Sequence, residues 1–167
     1  MAYVVFNLLA AAALIGIDQA IKLWATNVLQ PVGAMPLIPH VVELRFVLNP
    51  GMAFSLLSGK QMFLIIATSI ALILVAYGLF FRSRGRYLQQ AALLLILAGG
   101  IGNLIDRVRT GAVVDMISIP WFSTFNVADL FITFGAIILV LYIFIKDKEF
   151  LSDGPKKDKT DDADAEH

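Results

Sequence analysis

Residues 62–81 read MFLIIATSIALILVAYGLFF, without one charged side chain. A helix needs about 20 mostly apolar residues to cross the hydrocarbon core of a bilayer, so this stretch predicts a membrane span. YLQQAALLLILAGGIGNLID predicts another over 87–106, and NVADLFITFGAIILVLYIFI another over 126–145. The N-terminal run predicts a fourth over 3–25, although Asp18 and Lys22 interrupt it. One aspartate at a helix centre costs roughly 3 kcal/mol and each large apolar neighbour returns roughly 0.3–0.6, so the run inserts despite them. A cleaved signal peptide fits it poorly, because no Lys or Arg precedes the apolar stretch.

Between 27 and 61 the pattern changes. HVVELRFVL (40–48) alternates, with Glu43 and Arg45 on one side and Val42, Leu44 and Phe46 on the other, the period of a half-buried strand. Pro31, Pro36, Pro39 and Pro50 punctuate this segment. GAVVDMISI (111–119), rich in β-branched and apolar residues, is a candidate partner strand. The expected fold is mainly α: four transmembrane helices with a small extracytoplasmic β-sheet and loop region on the outer face. Residues 1–150 form one four-span domain in this reading, with 27–61 as its outer segment and 151–167 as a disordered cytoplasmic tail.

Composition agrees with membrane residence, since 59% of the 167 residues are apolar against roughly 45–50% for a soluble domain. The absence of cysteine excludes disulfides, thiolate metal sites and thiol nucleophiles. Two histidines, His40 and the terminal His167, exclude a multi-histidine metal site. No metal or other cofactor is expected, and no nucleic-acid partner.

Charge sets the expected orientation. The connection RSRGR (82–86) carries three arginines in five residues, and arginine concentrates in cytoplasmic loops. An even number of spans then puts both termini in the cytoplasm, and the long connections 27–61 and 106–125 outside. The tail from Lys146 onward holds eight acids and five lysines and is too polar to fold alone. Trp24, Trp121 and Tyr142 fit an interfacial aromatic belt, and Gln89 and Gln90 fall at the inner interface.

On this map the unusual polar residues converge on the outer face. Asp18 and Lys22 are four apart and share a helix face, the spacing of a local ion pair. Asn103, Asp106 and Arg107 occupy i, i+3 and i+4 beside Ala98, Gly99, Gly100 and Gly102, small residues that let helices approach closely. Asp106 and Arg107 are expected to satisfy one another. Ionisable groups in spans mark functional sites by default, and a structural cluster explains this one equally well.

Asp115 and Asp129 differ, because neither has a basic residue at i±3 or i±4. Facing each other at 4 Å and an effective dielectric near 20, two carboxylates would repel by about 4 kcal/mol, about three pKa units. One would hold its proton while the other stays ionised, the arrangement that activates water and protonates a leaving amine. A cation site or a polar rim is the alternative. A proton- or cation-coupled small membrane transporter is the rival reading for the whole chain, although such sites lie near the midplane.

The motifs DQAIK (18–22), NPGMAFS (49–55), GGIGNLIDR (99–107), VVDMI (113–117) and FNVAD (125–129) occur in one order across the four spans. In that order and spacing the chain resembles the bacterial lipoprotein signal peptidases (signal peptidase II), aspartic peptidases with four membrane spans. The resemblance implies that Asp115 and Asp129 are the catalytic pair. It implies that Asp18, Lys22, Asn49, Gly51, Asn103, Asp106, Arg107, Asn126 and Ala128 shape or support the site. It also implies an endopeptidase of the bacterial inner membrane that cuts prolipoproteins just before a diacylglyceryl-modified cysteine. Membrane lipid, inhibition by the cyclic peptide globomycin, and a monomeric enzyme without cofactor belong to the same expectation. The chain departs from the family pattern at Pro50 and Met52. Proline has no N–H, so no backbone donor carries over to position 50.

Overall fold

Apolar side chains that only lipid can cover dominate the long helices. In the computed structural model, which describes residues 1–51 and 60–152, four helices are long and apolar enough to cross a membrane. They are α1 (Ala2–Val32), α2 (Gln61–Arg82), α3 (Tyr87–Thr110) and α4 (Val127–Ser152), the last with its candidate span over Val127–Lys146. Phe63, Ile73 and Leu74 of α2 are mostly exposed, a state that costs heavily in water but nothing in a bilayer. Met52, most of the NPGMAFS motif and residues 153–167 of the expected tail lie outside the described residues.

Helix α1 runs past the expected end near residue 25. It passes through a π-helical turn, Ala25–Leu29, and stops where Gly33 takes a positive φ of 87°. Ala25 and Leu29 are fully buried against Met116, so packing on the sheet keeps the chain helical beyond the apolar run. Helix α4 likewise continues to Ser152, two residues into the segment expected to be disordered.

Helix α3 packs against the other three and is the most buried of the four. Its small residues allow this. A Cβ on Gly99 would collide with the carbonyl of Ala128, and one on Gly100 would meet Leu72 Cδ2 at 2.5 Å. Leu72, Leu79, Leu93, Leu94 and Leu97 fill the core with Ala11. At the end near residues 82–86, Gln90 is buried rather than interfacial. Its amide donates to Asn7 Oδ1 at 3.0 Å, and Asn7 Nδ2 donates to the Tyr3 carbonyl at 2.8 Å. A satisfied amide costs little to bury.

The opposite end carries a four-stranded antiparallel sheet in the order β1 (Ala34–Ile38), β2 (Val42–Asn49), β3 (Val113–Ile119) and β4 (Ser123–Phe125). The two expected strands pair with each other, Asn49 opposite Val113 and Val47 opposite Asp115. Leu44 and Phe46 turn inward onto Ala25, Leu29 and Met116, while Glu43 and Arg45 pair at 2.8 Å on the other face, as the alternation predicts. His40 is not in the strand; it sits in the preceding turn at φ 63°. β1 is new: its Pro36 is tolerated because β1 is an edge strand. Register slips between Leu44 and Val47, and such a bulge bends and twists its strand beside Asp115.

Candidate active site

Helix α4 begins with a reciprocal cap. The Asp129 N–H donates to Asn126 Oδ1 at 2.9 Å, and the Asn126 N–H donates to Asp129 Oδ2 at 3.2 Å. An N-cap asparagine with an acid three residues on is a capping box, so local chain chemistry alone fixes Asp129 at the helix mouth. The next free N–H of that turn, on Ala128, donates to Asp18 Oδ1 at 3.0 Å. Asp18 thereby ties the first turn of α4 to α1.

Asp115 arrives from β3 and is 2% exposed. Its two oxygens accept from two amides, Asn49 Nδ2 at 3.0 Å on Oδ2 and Asn126 Nδ2 at 2.7 Å on Oδ1. Asn126 therefore touches both aspartates, Asp115 through its side-chain amide and Asp129 through its side-chain oxygen and backbone N–H. Burial pushes the Asp115 carboxyl up to about 6; the Asn49 bond opposes this, Asp129 adds to it, and Asn126 and Lys22 oppose it.

Behind the pair lies a buried charge cluster. Lys22 Nζ is 2.9 Å from each of Asp18 Oδ2, Asp106 Oδ2 and Asn103 Oδ1. Asn103 passes that anchoring forward, since its Nδ2 donates to Asp129 Oδ1 at 2.8 Å and its Oδ1 also accepts from Asn126 at 3.1 Å. Asp106 Oδ2 accepts from the Val114 N–H at 3.2 Å, which fixes the strand carrying Asp115. Gly102 leaves room for Asp18, whose Oδ2 would lie 2.5 Å from a Cβ there.

The expected Asp106–Arg107 pair does not form. Asp106 is turned to Lys22, whereas Arg107 donates to the Gly51 carbonyl at 3.1 Å and weakly to the Asn103 carbonyl. Neighbouring residues on a helix diverge by about 100°, so the two side chains look toward different elements. The Gly51 N–H in turn donates to Asn49 Oδ1 at 3.0 Å. Pro50 takes part through its carbonyl, which accepts from Gln61 Nε2.

Both aspartates, with Asn49, Asn103 and Arg107, open into one cavity of about 420 Å³. Its other walls are apolar or hydroxylated, among them Phe122, Phe125, Leu130 and Thr133. The Arg107 Nε is buried without a hydrogen-bond partner among the described residues. Sequence reading missed Gln19, whose amide joins Asp18, the Gly102 carbonyl and Asp106; its signal was a second polar side chain inside an apolar run. It also missed the walls from β4, a strand too short to announce itself. Among the described residues no cluster of three or more His, Asp or Glu offers a metal site.

A family model described as Signal peptidase (SPase) II matches residues 10–145. A lipoprotein signal peptidase of Clostridioides difficile is 40% identical, over 78% of this chain and 88% of its own length. One from Caldanaerobacter subterraneus subsp. tengcongensis is 42% identical, over 81% and 93%. A bacterial membrane enzyme structure solved in meso at 2.3 Å superposes with a TM-score of 0.80 at 32% identity, covering 92% of this chain and 94% of that one. A second, solved at 1.9 Å, gives 0.75 at 33% identity over 83% and 92%. With four apolar helices, a small antiparallel sheet and a family match over most of its length, the chain belongs to the signal peptidase II family of membrane peptidases.

Proposed function

We propose that Asp115 and Asp129 are the catalytic pair of an aspartic endopeptidase that removes the signal peptide from diacylglyceryl-modified prolipoproteins. The observation that carries this is the sharing of Asn126: one residue holds two carboxylates from different elements, Asp115 through its side-chain amide and Asp129 through its backbone N–H, at the mouth of one cavity. Asp129, at a helix N-terminus where negative charge is favoured, takes a proton from water. The water oxygen attacks the scissile carbonyl carbon. Asp115, raised by burial, keeps its proton and delivers it to the departing nitrogen as the C–N bond breaks. The products are the carboxylate end of the signal peptide and the free amine of the lipidated cysteine. Arg107, on the wall of the cavity, offers its Nε, which has no hydrogen-bond partner among the described residues, to the oxyanion. The remaining predicted site residues hold this pair in place, as their contacts describe.

The site's depth follows from its substrate. A signal helix held in the bilayer presents its scissile bond where lipid and water meet, and both aspartates sit at the sheet end of the bundle, Asp129 in the first turn of α4 and Asp115 on β3. The acids of the spans gather at the sheet end, and the polar network at the other end is uncharged. A transporter needs access to both sides, and no relative supports that reading. In this reading the enzyme acts as a monomer, and globomycin-type inhibitors compete for the same cavity. The decisive assay offers the purified protein a prolipoprotein with and without the diacylglyceryl group. Cleavage before the cysteine of the modified form alone is the expected result; equal cleavage of both would refute the lipid requirement.

The arginine-rich hairpin 82–86 supports an orientation with the sheet and the site on the outer face of the inner membrane and both termini in the cytoplasm. Reporter fusions at residue 84 and at the C-terminus should read cytoplasmic, and one at residue 35 external. An external signal at 84 would invert this topology.

The pair works with one proton. A free-enzyme profile of kcat/KM against pH should be bell-shaped, with its falling limb near pH 6 as Asp115 loses its proton. The two apparent values belong to the pair rather than to either residue. A rate that keeps climbing through pH 8 would exclude Asp115 as the proton donor.

A further inference from the structure

Each proposed catalytic aspartate follows a residue whose N–H is held by another acid. The Ala128 N–H, just before Asp129, donates to Asp18 Oδ1 at 3.0 Å. The Val114 N–H, just before Asp115, donates to Asp106 Oδ2 at 3.2 Å. The spacing of the catalytic carboxylates therefore depends on the spacing of Asp18 and Asp106. The Lys22 ammonium bridges those two acids, 2.9 Å from an oxygen of each. So does the half-buried side chain of Gln19, whose Nε2 lies 3.2 Å from Asp18 Oδ2 and 3.1 Å from Asp106 Oδ1. We infer that Gln19 is a positioning residue, which together with Lys22 fixes the distance between the backbone segments carrying Asp115 and Asp129. The inference rests on the peptidase reading above, since it concerns the geometry of that pair.

Charge explains why a neutral donor belongs here. One ammonium faces two carboxylates, so the cluster keeps an excess of negative charge and the two acids repel one another. Lys22 engages Oδ2 of each acid, and the Val114 N–H shares Oδ2 of Asp106. The Gln19 amide takes Asp106 Oδ1 instead, a charge-assisted bond that holds the carboxylate plane at both of its oxygens. Without that bond the carboxylate can turn about Cβ–Cγ, and the Val114 N–H loses a fixed acceptor. A bond to the Gly102 carbonyl at 3.2 Å seats the same amide on α3. Gln19 does not line the catalytic cavity, so its action on the reaction runs through the two acids.

The test is the pH profile of kcat/KM for the full chain and two variants, on a diacylglyceryl-modified prolipoprotein. Gln19→Met keeps the length of the side chain and removes the donor. Gln19→Asn keeps the amide but withdraws it by one methylene. Gln19→Met should lower kcat about 10²-fold, as a misplacement of about 1 Å does, and leave KM within about twofold. Its falling limb should move from near pH 6 toward the ordinary carboxylate range by about one pH unit, because a loosened Asp115 regains water. Gln19→Asn should move both quantities the same way by less. A smaller folded fraction lowers every point of a profile alike and leaves the limb where it was. An unmoved limb in both variants would therefore overturn the inference, as would a Gln19→Met kcat within about threefold of wild type. If Gln19→Met does not fold, the limb of Gln19→Asn decides alone. A wild type without turnover would strike the peptidase reading and this inference with it; a wild type that cuts, beside variants with a fixed limb, would strike the inference only.

Discussion

Asp115→Asn and Asp129→Asn should each lower cleavage of a diacylglyceryl-modified prolipoprotein by roughly 10³- to 10⁵-fold, with the double substitution scarcely worse than either, because members of a catalytic unit are grossly non-additive. Neither amide can take or give the proton. Folding should survive better, for a reason specific to Asp115. Below the ordinary value of 3.8 its carboxyl is protonated in both folded and unfolded states and costs nothing. Between 3.8 and about 6 the folded protein holds a proton that the unfolded chain has released, so stability falls as pH rises. Above about 6 the ionised, buried carboxylate costs the fold its full penalty, on the order of 3 kcal/mol.

The Asp115→Asn protein escapes that penalty. It has a cost of its own, since its NH₂ must face one of two amide donors, Asn49 or Asn126, worth about 1–3 kcal/mol. The variant should therefore be less stable than wild type at pH 4 and regain ground by pH 7.5. Melting curves at the two pH values check this beside the cleavage assay. A well-folded Asp115→Asn enzyme within about tenfold of wild type, ~1.4 kcal/mol in barrier, would end the dyad assignment.

Lys22→Met should be the most damaging substitution outside the pair. Lys22 is 3% exposed, and its ammonium sits between Asp18 and Asp106, both buried. Methionine fills the stem but leaves two carboxylates without a cation, and breaking a buried pair costs about 3–5 kcal/mol. Asn103 loses its anchor at the same moment, so Asp129 loosens too. The expected result is little folded protein in detergent and no turnover. Adding Asp106→Asn to Lys22→Met removes one of the stranded charges and should restore part of the folded yield. Unchanged melting of the Lys22→Met protein would mean that the cluster contributes nothing to the fold.

What the amino-acid order determines by itself is whatever depends on a run or a short spacing. Spans are legible because lipid tests about 20 consecutive residues at once, and β2 because a strand's two faces alternate. The Asp18–Lys22 pair is written in a four-residue spacing, and the Asn126–Asp129 cap in a three-residue one. These need no knowledge of any other helix. Even the convergence of the acids on one end follows from counting spans.

Partner choice across elements was decided by tertiary structure alone. Asp106 turns to Lys22 rather than to Arg107 because α1 lies against α3 at Gly102, close enough for Asp18 to fill the space a Cβ would take. Gly99 brings α4 equally close, and that contact sets Asn126 between Asp115 and Asp129. Helix α1 outruns its apolar stretch because Met116, from a distant strand, covers Ala25 and Leu29. Each of these rests on an approach of a few ångströms between segments far apart in the chain, and no local periodicity encodes such a distance.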